Sequence, residues 1–135
     1  MSYISLSWVV GQGEDSNGGS KDRPSVDKIM EYLERILKNS GSITLDIIDG
    51  PEIGPQSLQV EAEGGNAVIS LGEDDGDEYI VRTYTNKLAT DTDEDVTVLG
   101  NLWDSKLICE DADELRGIVK EFVATGTVSQ DKLSE

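Results

Sequence analysis

The chain has 135 residues, with 28 acidic against 11 basic side chains, a net charge of −17, no histidine and a single cysteine. That length makes one domain with a core large enough to need neither disulfide nor metal, and a lone Cys109 rules out an internal disulfide and fits a reducing compartment. The charge repels phosphate backbones and anionic membrane surfaces alike, so direct nucleic-acid and membrane binding are excluded and a basic protein is the natural partner.

The opening segment alternates. Ile4, Leu6, Trp8 and Val10 fall on one side and Tyr3, Ser5, Ser7 and Val9 on the other, which predicts a strand buried on one face with Trp8 in the core. The segment has no basic stretch and no continuous apolar run, so it does not read as a signal peptide. Nor does any apolar run approach the ~20 residues that span a bilayer. Residues 11–24 are rich in Gly, Ser, Asn and Asp and are expected to be a mobile connection. The Gly-x-Gly at 11–13 lacks the Lys-Ser/Thr that a phosphate loop requires.

Ser25 can cap a helix running to about Asn39, in which Val26, Ile29, Met30, Leu33, Ile36 and Leu37 make one apolar stripe. Glu31–Arg35 and Glu34–Lys38 have the favourable i,i+4 order, each worth only ~0.2–0.5 kcal/mol. Ile43, Leu45 and Ile47 then alternate as a strand. The segment 49–55 cannot continue it, because two prolines remove backbone donors and two glycines permit reversal. Strands follow at Leu58–Ala62 and Ala67–Leu71, joined by a Gly64-Gly65 hairpin turn, then at Tyr79–Tyr84, at Val96–Leu99 and at Lys106–Cys109. Asp111 caps a second helix, with Glu114 at the capping-box position and a stripe of Ala112, Leu115, Ile118, Val119, Phe122 and Val123 that ends at Gly126. Gly117 in its interior suggests close packing against a neighbour. Residues 127–135 read as a frayed tail.

The fold class is therefore α+β: a single antiparallel twisted sheet of six to seven strands in the order β-α-β-β-β-β-β-β-α, with two helices on one face and residues 1–135 as one domain. The acids are not spread evenly over it. Residues 41–115 hold 19 acidic and 3 basic side chains, and so 16 of the 17 net negative charges, while both helices lie in near-neutral flanks. The acids concentrate in turns, at Glu73, Asp74, Asp75, Asp77 and Glu78, and at Asp91, Asp93, Glu94 and Asp95.

Without histidine, a Ser-His-Asp triad, a Cys-His pair and every Cys/His zinc site are unavailable. Asp91, Asp93 and Asp95 have the 1-3-5 spacing of a calcium loop, but Val96 stands where glycine is needed and Leu102 where a bidentate glutamate is needed, so the match fails. Acids in turns are held ionised by solvent, unlike a catalytic pair whose apolar surroundings raise one pKa. No enzyme activity and no cofactor are implied. Electrostatic capture of a basic partner accounts for the charge, with Trp103 or a Tyr as the anchor that supplies affinity; Trp103, next to Asp104 and outside any clear strand, reads equally as interface or core.

The strand ending in Trp8, the capped helix, the Gly64-Gly65 hairpin, the Gly76-Asp77-Glu78-Tyr79 strand entry and the Asp111-Ala112-Asp113-Glu114-Leu115 helix ending Phe122-Val123-Ala124-Thr125-Gly126 together resemble the immunity proteins of bacterial polymorphic-toxin and contact-dependent growth-inhibition systems. The resemblance implies a cytoplasmic, non-enzymatic protein that binds and neutralises a cognate basic toxin domain, such as a nuclease, by covering its active site. Glu73, Asp74, Asp75, Asp77, Glu78, Asp91, Asp93, Glu94, Asp95, Trp103 and Asp104 would then be the partner-binding set. Two alternatives share the acidity: a nucleic-acid-mimicking adaptor of a DNA-binding protein, and a weak calcium-binding module.

Overall fold

A computed structural model describes residues 3–11, 16–85 and 95–134. The elements are β1 (Tyr3–Val10), β2 (Asn17–Asp22), α1 (Val26–Asn39), β3 (Gly41–Ile48), β4 (Gly54–Glu63), β5 (Asn66–Asp74), β6 (Tyr79–Tyr84), β7 (Asp95–Val98), β8 (Asn101–Asp104), a 3-10 turn at Ser105–Leu107, α2 (Ala112–Thr125) and β9 (Leu133–Ser134). Seven strands form an antiparallel sheet in the order β2-β1-β3-β4-β5-β6-β9, and β7 and β8 form a separate hairpin. No helix among the described residues is long and apolar enough to cross a membrane.

The register lines up one residue from each central strand into a row, Leu6–Leu45–Leu58–Leu71, which continues into Arg82. Next to it runs Trp8–Ile43–Val60–Ile69. The apolar stripes of α1 (Ile29, Leu33, Ile36) and α2 (Leu115, Ile118, Val119, Phe122) close over these rows, so both helices share one face, as the alternation predicted. Trp8 belongs to this side, stacked on Tyr32 with ring centroids 4.1 Å apart. Lys38 acts on Glu34 electrostatically, as the spacing suggested, but the direct partner lies on the other helix. The two oxygens of Glu34 accept from Nε and Nη2 of Arg116 at 2.5 and 3.1 Å, fastening α1 to α2. Arg116 also holds the Glu34 carboxyl below its usual range.

Several expectations give way to longer-range pairing. Residues 17–22 are not a mobile connection: they pair along β1 from Val10↔Asn17 to Ser5↔Asp22. The glycines that signalled a loop are there for clearance, since a Cβ on Gly19 would lie 2.6 Å from the Trp8 ring. The tail is not frayed throughout either. Val128 and Leu133 are buried, and β9 pairs with β6. The strand expected at 106–109 is a 3-10 turn followed by a two-bond bridge between Cys109 and Ala67. Glu114 does not reach back to close a capping box: Asp111 Oδ1 accepts from Asp113 and Glu114 N–H, while the Glu114 carboxylate accepts from Tyr84 Oη at 3.0 Å. A Cβ on Gly117 would meet only the end of Lys132, at 3.8 Å, so close packing is not why glycine stands there.

The tail is held by Arg82, which is 4% exposed. Its Nε donates to Leu133 O at 3.1 Å and its Nη2 to Val128 O at 2.7 Å and Leu133 O at 2.9 Å, with Glu73 at 3.9 Å from Nη1. On the sheet face away from the helices, the β7–β8 hairpin covers a second small core of Val68, Val98 and Ile108, flanked by Val96, Leu99 and Trp103. Glu61 stands opposite Val68 on that face, with Oε2 buried and without a hydrogen bond, and burial pushes its carboxyl up.

Three stability outcomes follow from these contacts. Arg82→Met leaves two buried carbonyls unpaired, and should lower the unfolding free energy in urea by about 2–4 kcal/mol and open the segment after Gly126 to protease. Gly117→Ala should raise thermal stability by up to about 1 kcal/mol, because the space beside it is open and the helix favours alanine. A buried carboxyl with a raised folded pKa is tolerated when protonated and penalised when ionised. The penalty is therefore absent below the ordinary glutamate range and complete above the raised value. Glu61→Gln should accordingly stabilise the fold by about 1 kcal/mol at neutral pH and by nothing at acid pH.

Candidate functional site

Strand direction decides which turns meet. β3 and β5 run toward one end of the sheet and β4 and β6 away from it, so the 49–53 loop and the 75–78 turn emerge side by side, bracketed by the pair Gly54↔Asp74. Each is locally determined. Asp49 has φ of 55° and Gly54 of 117°, which reverse the chain around Pro51. Gln56, at an irregularity in β4 next to Pro55, turns its amide back and donates to Pro51, Glu52 and Gly54 carbonyls at 3.2, 3.4 and 3.0 Å. In the second turn Asp74 Oδ1 accepts from Gly76 N–H at 2.9 Å, and Asp75 Oδ1 accepts from Asp77 and Glu78 N–H at 2.9 and 2.8 Å. The amides of Glu78 and Asp77 hold the Asp75 carboxyl below its usual range.

Gly76, with φ of 100°, brings this turn against Ile53: a Cβ there would lie 3.4 Å from Ile53 Cδ1. The result is an acidic end made of Asp49, Glu52, Asp74, Asp75, Asp77 and Glu78 around two exposed apolar side chains, Ile53 (63% exposed) and Tyr79 (58%). Tyr79 does not dangle, because its ring lies over Gly72, where any Cβ would collide with it. Neither loop contributes a basic residue. Carboxylates, two exposed apolar side chains and braced backbone make this end complementary in charge to a cationic surface.

The sequence set is therefore divided. Glu73, Asp74, Asp75, Asp77 and Glu78 come together, although Glu73 faces Arg82, and Asp74 and Asp75 spend one oxygen each on the turn. Asp95 and Asp104 sit elsewhere, opposite each other across β7–β8, and Asp104 Oδ1 accepts from Lys106 N–H to cap the 3-10 turn. Asp91, Asp93 and Glu94 lie outside the described residues. Of the two readings open for Trp103, the structure shows packing: it pairs with Val96, is half-buried in the second core and has Nε1 sealed from solvent without a hydrogen bond. Its neighbour Leu102 is the exposed one, at 70%. Ile53 was missed as a site residue. The signal was present in an apolar residue between Gly50-Pro51 and Gly54-Pro55, where no strand or helix can bury it.

Near this end, in the row Asp46–Ser57–Gly72, Asp46 is half-buried on the helix-free face, and burial pushes its carboxyl up. Two surface hollows, of about 400 Å³ by Trp8, Tyr32 and Arg35 and about 460 Å³ by Tyr3, Arg23 and Val123, take none of the acidic-end residues into their walls. Among the described residues, no group of three or more Cys, Asp and Glu side chains is arranged to hold a metal ion.

No curated protein matches the chain. The crystal structure of a hypothetical protein from Neisseria gonorrhoeae is similar to it in fold, with a TM-score of 0.77 at 17% sequence identity over 96% of this chain and 92% of that one. A family model described as a family of unknown function, DUF6911, matches residues 7–132, and the chain belongs to that family.

Proposed function

We propose that this protein is a non-enzymatic inhibitor of the immunity type, which binds a cognate basic toxin domain through its acidic end and covers the surface by which that domain engages nucleic acid. One observation carries the reading: six carboxylates from two adjoining turns surround exposed Ile53 and Tyr79, with no basic side chain on either turn. A toxin that acts on nucleic acid presents lysines and arginines around its cleft, the complement of this surface. Long-range attraction then sets the rate of encounter, and the two apolar side chains slow release. The assigned place of action is the cytoplasm, where Cys109, free and buried, stays reduced.

The test begins with capture of partners from lysate of the source organism at low and at high salt. A single basic protein retained at both supports the reading, whereas many basic proteins lost together at high salt would reduce the charge to a non-specific attractor. With the captured partner, lysine at Asp49, Glu52, Asp77 and Glu78 should slow association by about tenfold or more and flatten its salt dependence. Asp74 and Asp75 are left in place because they hold the turn. Ile53→Ser and Tyr79→Ala should instead speed dissociation at an unchanged association rate. Unaltered kinetics in all of these variants would remove the acidic end as the docking surface.

A further inference from the structure

The sheet stops at β6 over most of that strand's length. β9 pairs only with Thr83 and Tyr84, so among the described residues the outer edge of Tyr79–Arg82 has no backbone partner. Half of the N–H and C=O groups of an antiparallel strand point to each side. An edge that leaves them unpaired is a template for another strand, which folded chains ordinarily block with charge, proline or a bulge. The opposite edge, β2, is guarded by charge: it carries Lys21 and Asp22 at its end.

Among the described residues, β6 has no such guard. Its sequence, Tyr-Ile-Val-Arg-Thr-Tyr, is strongly β-prone. Its one charge, Arg82, is turned into the core and committed to Val128 and Leu133. Tyr79 and Val81, two residues apart and so on one face, are 58% and 51% exposed. The strand opens directly out of the acidic turn Asp74–Glu78, so whatever lies along it meets those carboxylates next.

We propose that β6 accepts an extended segment of a basic partner protein as an added strand along Tyr79–Arg82. The segment's apolar side chains lie on Tyr79 and Val81, and its lysines or arginines reach the carboxylates of the 74–78 turn. Main-chain pairing gives affinity, and the alternating side chains give selectivity. The occupant is a basic segment and not a second copy of this chain, because a second copy would set a net charge of −17 against another −17. The proposal rests on the acidic end being the docking surface and adds how the partner is held.

Three synthetic octapeptides test it against the whole chain: one of alternating lysine and valine, the same peptide methylated at every backbone nitrogen, and one with glutamine in place of lysine. The first should slow hydrogen exchange at amides within Tyr79–Arg82 and bind about tenfold or more tightly than either of the others. Equal binding of the plain and methylated peptides, without protection of β6, would overturn strand addition and leave the acidic-end reading standing. Equal binding of the glutamine peptide would overturn the basic occupant, and with it the charge argument of both readings. Failure of all three to bind would also overturn strand addition. Concentration-dependent protection of β6 in the protein alone, with a dimer in sedimentation, would make the occupant a second copy and overturn the proposal.

Discussion

The inward-turned guanidinium of Arg82 is the contact that the far side of the sheet depends on. The row Leu6–Leu45–Leu58–Leu71 is apolar across four strands, and at the fifth it meets a cation. A buried charge is tolerable only with its donors satisfied, and here the carbonyls of Val128 and Leu133 take the place of water, with Glu73 nearby. The stem of Arg82 completes the row while its head fastens the chain after α2. Leu133 is thereby brought into the core and β9 against Tyr84. The same turn inward takes the only charge of β6 away from its outer surface, which leaves that edge apolar.

The body of this arrangement is written in the binary pattern. Ile43, Leu45, Leu58, Val60, Ile69 and Leu71 sit at alternating positions, and the two helical stripes have the width of one buried face, so one sheet with helices on one side follows directly. What the pattern does not carry is pairing that depends on distant residues. β2 reads as a loop, because Gly18 and Gly19 are β-poor, and it becomes a strand only because Trp8 needs a neighbour without a side chain. For the hairpin β7–β8 the sequence predicts a strand at Val96–Leu99 and a turn at Gly100-Asn101, one residue later than the turn that forms. That turn is Leu99-Gly100 with φ of 51° and 83°, a conformation that ordinarily calls for Asn-Gly. Leucine is held in that conformation by packing of its side chain on the second core, with the Glu63 carboxylate accepting from its N–H at 2.8 Å. Once that hairpin forms, Trp103 has a cross-strand partner and a core to enter, which is why its isolation in the sequence was misleading.

The candidate site was legible in charge but not in composition. Counting acids located the 73–78 turn, whereas only strand order reveals that the 49–53 loop stands next to it and contributes Asp49, Glu52 and Ile53. Equally, counting treats every carboxylate alike. The structure separates those that build the turn, Asp74 and Asp75, from Asp77 and Glu78, whose backbone N–H groups are what Asp75 accepts. A run of acids is thus partly scaffold, and charge reversal across the whole run would confuse loss of a turn with loss of attraction.

Magnitudes bear on how such a surface can hold a partner. Exposed ion pairs contribute roughly 0–1 kcal/mol each and weaken with salt. Burying what is still exposed of Ile53 and Tyr79 adds about 1–2 kcal/mol apiece before the entropy of association is subtracted. An inhibitor that must outcompete a nucleic-acid substrate works near nanomolar affinity, about −12 kcal/mol, so charge and two anchors leave a deficit. On the proposed reading, hydrogen bonds along the β6 edge, unpaired among the described residues at Tyr79–Arg82, are a further source, and their donors and acceptors are fixed in place before a partner arrives. Preorganisation of that kind lowers the ordering cost of binding. It also ties the helix-side core to the proposed docking surface through one residue, since the guanidinium that holds the C-terminal segment is the charge that the β6 edge lacks.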